Sequence, residues 1–398
     1  MLTISNYKNN KIKVKSEKMC KFAKFFIRYP VTMKISQIID YLNSKLLPVY
    51  QESYDNSGFL VGDPDAELTG VLIALDVTPD VVAEAVEGGF NLIVSHHPLV
   101  FGGIKRITTA TETGRMLITL LRANISVYAA HTNLDNLDWG VNGVLAAKLG
   151  LEGCRVLRPV EGALRKLVTY VPAARADEVR QALFAAGAGC IGGYDQCSYN
   201  SDGYGTFRAN EGCSPYCGEI GELHREPETR IEVIYEKRLE RKIVQKLVSV
   251  HPYEEPAYDC VPLANPLASV GAGMVGRLAR PVSVADFLEQ VKTALGLPLI
   301  RSSRIEDLDA VVEKVAICGG AGSFLIGDAK AAGADIYLTG DLKYHDFQQA
   351  ENSIILADIG HYESEQFSKE LIYRLISEKF STFACRISEK NAGFVQYI

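Results

Sequence analysis

Short runs without polar alternation, each followed by a helix-spaced stretch, limit most strongly what this chain can fold into. Val71–Leu75, Asn91–Val94 and Ile125–Ala130 are apolar at nearly every position, so strands there need cover on both faces. Helical spacing appears in the segment from Ile35 to Leu46, again after Pro79 as far as Val86, and over Glu112 to Arg122. That alternation predicts an α/β domain. The same grammar returns late in the chain, at Val315–Cys318, Ile336–Leu338 and Ile354–Leu356, the last leading into a long helix to about Phe380.

The middle of the chain is spaced differently. Strands are expected at Lys166–Val171, around Ile191–Tyr199 and Gly205–Phe207, at Arg230–Tyr235 and at Ala257–Val261, with helices at Ala174–Ala185 and Leu239–Val250. The order βαββαβ, with a doubled middle, is the ferredoxin-like arrangement. The reading is therefore one α/β sheet whose halves, 33–160 and 271–398, are separated by an inserted α+β domain at 161–270. Gly271-Ala272-Gly273 marks the return.

The chemistry gathers at strand ends. His96 and His97 follow the second early strand, where open α/β sheets place ligand sites, and Pro98 keeps His97 out of the helical region. The third early strand ends in His131-Thr132-Asn133-Leu134-Asp135, and Asp135 has two oxygens with which to bridge two cations. The last strand runs into Asp358-Ile359-Gly360-His361-Tyr362-Glu363-Ser364-Glu365. His361 and Glu365, four apart, share one helix face. Singly, each has a plain structural reading: a capped strand end, a turn residue, an exposed helix pair. Together they predict a metal centre of His96, His97, Asp135, His361 and Glu365. Imidazole with carboxylate suits Zn, Fe, Mn, Co or Ni, and two such cations activate water for hydrolysis. No G-x-S-x-G elbow or Walker A motif offers a rival chemistry.

Charge and cysteine usage exclude other classes. The formal net charge is −6, yet residues 1–32 hold eight Lys/Arg against the single Glu17. The body is thus more acidic than the whole, which argues against nucleic acid as the main partner. The basic leader reads as a disordered tail or an upstream start ahead of Met33, with a targeting segment as the alternative. Nine cysteines without a C-x-x-C pair give neither a disulfide framework nor a strong zinc motif, and fit a reducing, cytoplasmic compartment. Cys213 and Cys217 are weak zinc candidates. His224, amid charged residues, is expected to be solvated, and His251 to pack. No apolar run approaches the roughly 20 residues that span a bilayer.

The motifs Ser95–Lys105 (SHHPLVFGGIK), His131–Asp135 (HTNLD) and Asp358–Glu365 (DIGHYESE) resemble the Nif-three-like family, whose bacterial members are often labelled GTP cyclohydrolase 1 type 2 homologues. His251–Asp259 and Tyr194–Tyr199 look like its long bacterial form, with an insert similar to PII and CutA proteins. The resemblance covers about 33–398. It implies a dinuclear site on the five residues above and a homohexamer whose metal sites face an internal cavity. Lys105 and His345 become candidate catalytic groups, with Asp341, Lys343 and Tyr344 as further neighbours of the metals or substrate. The expected function is metal-dependent hydrolysis of a nucleotide-like small molecule. The alternatives are a phosphoesterase and a non-catalytic metal-binding or regulatory hexamer.

Overall fold

Leu72, Ile93 and Val127 pack against one layer of helices, while Ile73, Val94 and Tyr128 pack against another. Residues alternate faces along a strand, so a run buried at every position needs both layers. In this computed structural model, which describes residues 33–390 and 393–398, helices Pro79–Gly88 and Glu112–Arg122 supply the first layer. Ile35–Leu46 and Ser368–Lys379 supply the second, through Ile38, Leu42 and Ile372. Leu47, in the left-handed region at φ 46°, and Pro48 end the helix Ile35–Leu46. The basic segment 1–32 lies outside the described residues.

This first sheet has five strands, in the order Gly58–Val61, Ser126–Ala129, Leu92–Ser95, Val71–Ala74 and Cys385–Ile387. All neighbours are parallel except the pair formed by Gly58–Val61. A second sheet has six, in the order Arg301–Ser302, Ile355–Asp358, Ile336–Gly340, Val311–Ala321, Leu267–Ser283 and Leu151–Val160. Its parallel core is Val311–Ala321, Ile336–Gly340 and Ile355–Asp358. Ile317, Leu338 and Ala357 face the helix Val284–Leu295, and Ala316, Tyr337 and Leu356 face Ile326–Ala331.

The expectation of a single α/β sheet is therefore corrected to two. Apolar patterning records that a strand is covered on both faces and says nothing about its neighbours in the ladder. The halves also interlock. Cys385–Ile387 returns to the first sheet beside Val71–Ala74, and Leu151–Val160 joins the second beside Leu267–Ser283. That 17-residue strand was legible only as a glycine-marked return, because its register shifts between Leu267 and Gly271 break any period. The expected long helix to Phe380 divides into His361–Glu365 and Ser368–Lys379.

Between the two sheets in sequence lies a four-stranded antiparallel sheet, ordered Tyr199–Arg208, Leu223–Glu236, Leu164–Pro172 and Tyr258–Pro262. Helices Ala176–Ala186 and Glu240–Val250 cover one face through Val179, Leu183, Ile243 and Leu247. The strand expected around Ile191–Tyr199 does not form before Tyr199, where Tyr199–Arg208 begins. The chain turns at Gly189 just before that stretch and at Gly192 and Gln196 within it, all at positive φ, with one bridge between Ile191 and Tyr194. Among the described residues no helix is long and apolar enough to cross a membrane.

Candidate metal centre

His96 and His97 prolong the parallel ladder past Ser95: their amides donate to the carbonyls of Ala74 (3.1 Å) and Leu75 (2.8 Å). The Ser95 hydroxyl donates to the His97 carbonyl at 2.7 Å and bends the chain there. Strand alternation is thereby lost, and both rings lean the same way with centroids 5.0 Å apart. Each ring is held by its Nδ1. His96 Nδ1 lies 2.7 Å from the Ala130 carbonyl, and His97 Nδ1 lies 2.7 Å from Asp76. A carbonyl only accepts, so His96 Nδ1 carries a proton, which leaves Nε2 turned inward as the nitrogen available for ligation.

Asp135 closes a single helical turn that begins after His131, its amide donating to the His131 carbonyl at 3.1 Å. His131 itself is fixed by Asp55 at 2.7 Å from Nδ1, and Thr132 binds the same carboxylate. The His131 ring packs 5.4 Å from His96 and 5.6 Å from His97.

From the second sheet come His361 and Glu365, one turn apart on the helix that Gly360 opens at φ 79°. His361 Nδ1 lies 2.8 Å from Asp341, and its Nε2 lies 3.0 Å from Glu365 Oε2. The same oxygen stands 2.9 Å from His97 Nε2 and 3.7 Å from His96 Nε2. Gly320, at φ +64° where Val311–Ala321 ends, makes the room: a Cβ there would sit 2.2 Å from Glu365 Oε1.

The ends of the two sheets thus bring His96, His97, Asp135, His361 and Glu365 together. His96 Nε2 and Asp135 Oδ1 are both buried without a hydrogen-bond partner, 3.5 Å apart. Buried polar atoms are seldom left so, because the desolvation cost goes unreturned. Two atoms bonded to one ion at 2.0–2.2 Å lie about 2.9–3.6 Å from each other. The 3.5 Å gap fits, as does the 3.4 Å between His97 Nε2 and His361 Nε2. His96, His97 and Glu365 form a group able to hold a metal ion.

Electrostatics agree. Burial alone would lower the His97 pKa, but Asp76 and Glu365 push it up to about 10. His361 rises to about 9, again against burial, through Glu365 and Asp341. Burial would raise Glu365, yet the imidazoles, His361 first, hold it well below the carboxylate range. Burial raises Asp135, with repulsion from Glu365 adding to it and His96 opposing. A metal takes imidazole without its proton at the ligating nitrogen. Cation binding at pH 7.5 should therefore release close to two protons per chain, and apparent affinity should climb with pH up to about 9–10. Calorimetry in buffers of different ionisation enthalpy reads this; a heat independent of buffer would contradict it.

The centre opens on a cavity of about 240 Å³, whose wall includes Tyr54, Phe101, His131 and Phe324. Lys105 and His345 are not among the residues lining it. Both are exposed, and His345 pairs with Gln348 at 3.3 Å. Lys343 and Tyr344 are exposed as well. Sequence reasoning missed Asp76, Asp55 and the pair Gly319-Gly320. All three stand at or near a strand end, which was the available signal, but carboxylates and glycines are common there.

The Duf34/NIF3 (NGG1p interacting factor 3) family profile matches residues 33–392. A protein of Halalkalibacterium halodurans described as a GTP cyclohydrolase 1 type 2 homolog is 40% identical over 330 residues, 82% of this chain and 88% of its own. A Bacillus subtilis protein of the same description is 38% identical over 343 residues, 86% and 91%. Among solved structures, a Bacillus cereus protein related to NIF3 superposes with a TM-score of 0.80 at 36% identity, covering 92% of this chain and all of the other. A Staphylococcus aureus protein gives 0.75 at 30%, covering 92% and 99%. On this match, and on motifs that converge at one buried cluster, the chain belongs to the Duf34/NIF3 family.

Proposed function

We propose that this chain is a hydrolase of a nucleotide-like small molecule, working with two divalent cations held by His96, His97, Asp135, His361 and Glu365. The observation that carries the reading is the pair of orphaned buried atoms, His96 Nε2 and Asp135 Oδ1, set among rings whose other nitrogens are fixed. Carboxylate and carbonyl partners of that kind orient histidines for ligation and raise their basicity. Glu365 Oε2, within 3.7 Å of three imidazoles, is better placed to be shared between two ions than Asp135, which faces His96. When bound, two cations lower the pKa of water and polarise a substrate oxygen. Zn, Fe, Mn, Co and Ni all suit the donors.

The chain's own residues would select the substrate. Tyr54, Phe101 and Phe324 line the cavity and stay half exposed, and exposed aromatic faces stack on planar heterocycles. That favours a purine-like ring, in keeping with the description of the relatives, over a bare phosphoester. His131, held by Asp55, stands beside the cavity where a substrate proton could be taken or returned. A catalytic role for Lys105 and His345 requires their exposed segments to approach bound substrate, and nothing in the cavity lining supports it.

The same reading divides the chain at 33–160, 161–270 and 271–398 and takes the middle part as a ferredoxin-like insert. The strand order of its antiparallel sheet supports this, since it suits a βαββαβ chain path. The homohexamer that family membership implies belongs to this reading too. Metal-reconstituted protein incubated with GTP and with a panel of phosphate esters should turn over the nucleotide. His97→Ala should lose at least about 100-fold, because even outer-shell partners of a metal are worth about 10–100-fold. No turnover with any of the five metals would sink the hydrolase and leave a binding protein.

A further inference from the structure

Cys217, His224 and Glu226 form a second group of ligand-type side chains, in the four-stranded unit rather than at the His96 cluster. Their ligand atoms all lie within 4.8 Å of one another. His224 and Glu226 are two apart on the strand Leu223–Glu236 and so share a face, with His224 Nε2 2.8 Å from the Glu226 carboxylate. Cys217 arrives from the connection 209–222 that precedes this strand. Gly218, at φ +79°, lets that connection lie directly on the histidine: a Cβ there would stand 2.8 Å from His224 Cβ. Phe207, paired with His224 across the ladder, packs its ring 5.3 Å from the imidazole. The expectation that His224 is simply solvated is thus corrected, because the strand pairing turns it under the connection.

We propose that these three residues bind a thiophilic divalent cation of the zinc class. The His224 imidazole and the Cys217 thiol both meet the Glu226 carboxylate, so three different ligand types converge on one point. Thiolate with imidazole and carboxylate selects zinc-like ions over magnesium or calcium, whereas the proposed ligands around His96 are nitrogen and oxygen only. Three protein ligands leave a fourth position for water or an added ligand. Beside the cluster, Cys213, Phe207, Tyr216 and Tyr253 line a cavity of about 690 Å³ from which such a ligand would come. A bound ion would tie the connection 209–222 to its strand.

The test is a cobalt(II) titration of the reduced, full-length chain, followed by near-ultraviolet absorption. Wild-type protein should show a thiolate-to-cobalt charge-transfer band, and zinc should abolish it by competition. Cys217→Ser and His224→Gln should each lose that band, or weaken affinity by at least about 100-fold, while keeping the wild-type far-ultraviolet circular dichroism. Glu365→Ala and Cys318→Ser should retain it. Absence of the band from wild-type protein would overturn the proposal. So would its persistence in Cys217→Ser, which would assign the thiolate to another cysteine.

Discussion

Glu365→Ala should leave the His96 cluster without its cation and lower the stability of the metal-free protein as well. Glu365 is buried, and its Oε2 faces three imidazoles. Two of these, His97 and His361, carry raised pKa values. Truncation removes their shared counter-charge, at a site where Glu365 is buried and the two imidazoles are part-exposed. Removing one partner of a fully buried ion pair costs about 3–5 kcal/mol; solvent screening of the part-exposed His97 and His361 makes the loss here smaller, readable as a lower urea midpoint at pH 7. Losing this proposed ligand should weaken cation affinity by at least about 100-fold. Glu365→Gln keeps the shape and loses the charge, so it should match alanine in affinity and fall between in stability. An alanine variant with wild-type cation content would remove Glu365 from the centre.

Gly320→Ala should reach the same cluster without touching a ligand. Its backbone sits at φ +64°, and an added Cβ would stand 2.2 Å from Glu365 Oε1. Left-handed backbone costs an L-residue roughly 1–2 kcal/mol, and overpacking adds about 1–3 kcal/mol. The carboxylate must move, so cation affinity should fall by at least about tenfold. Gly327→Ala is the control. It lies in the helix Ile326–Ala331 with nothing within 4 Å of its Cβ, and alanine favours helix. Equal losses at both positions would mean that Gly320 acts through general stability alone.

Much of this was legible in the sequence because burial and patterning coincide. The run at Val71–Ala74 lacks alternation since helices cover both its faces, and the helix Ile35–Leu46 emerges with the bounds its spacing predicted. His96-His97 stood out because Pro98 and the strand before them fixed the local backbone. Sheet membership was not legible. Nothing in Ile355–Asp358 says that it pairs with Ile336–Gly340 and not with the early strands, nor that Cys385–Ile387 crosses back. The holding groups were equally silent. Asp76 and Asp55 reach His97 and His131 from 21 and 76 residues away, a proximity set by neighbouring strands, parallel in the first case and antiparallel in the second, and not by spacing. Cys217 and His224 were read apart because the connection that folds between them carries no period.

The central claim, that the two sheets hold a dinuclear centre between their strand ends, is tested most directly by anomalous X-ray scattering. Crystals grown with zinc, with data recorded on both sides of its absorption edge, should show two peaks about 3.5–4 Å apart in the His96 cluster. Between them the two peaks should lie within bonding distance of His96, His97, Asp135, His361 and Glu365, with Glu365 near both. A single peak that leaves His96 and Asp135 uncoordinated, or no peak in this cluster, would contradict the account.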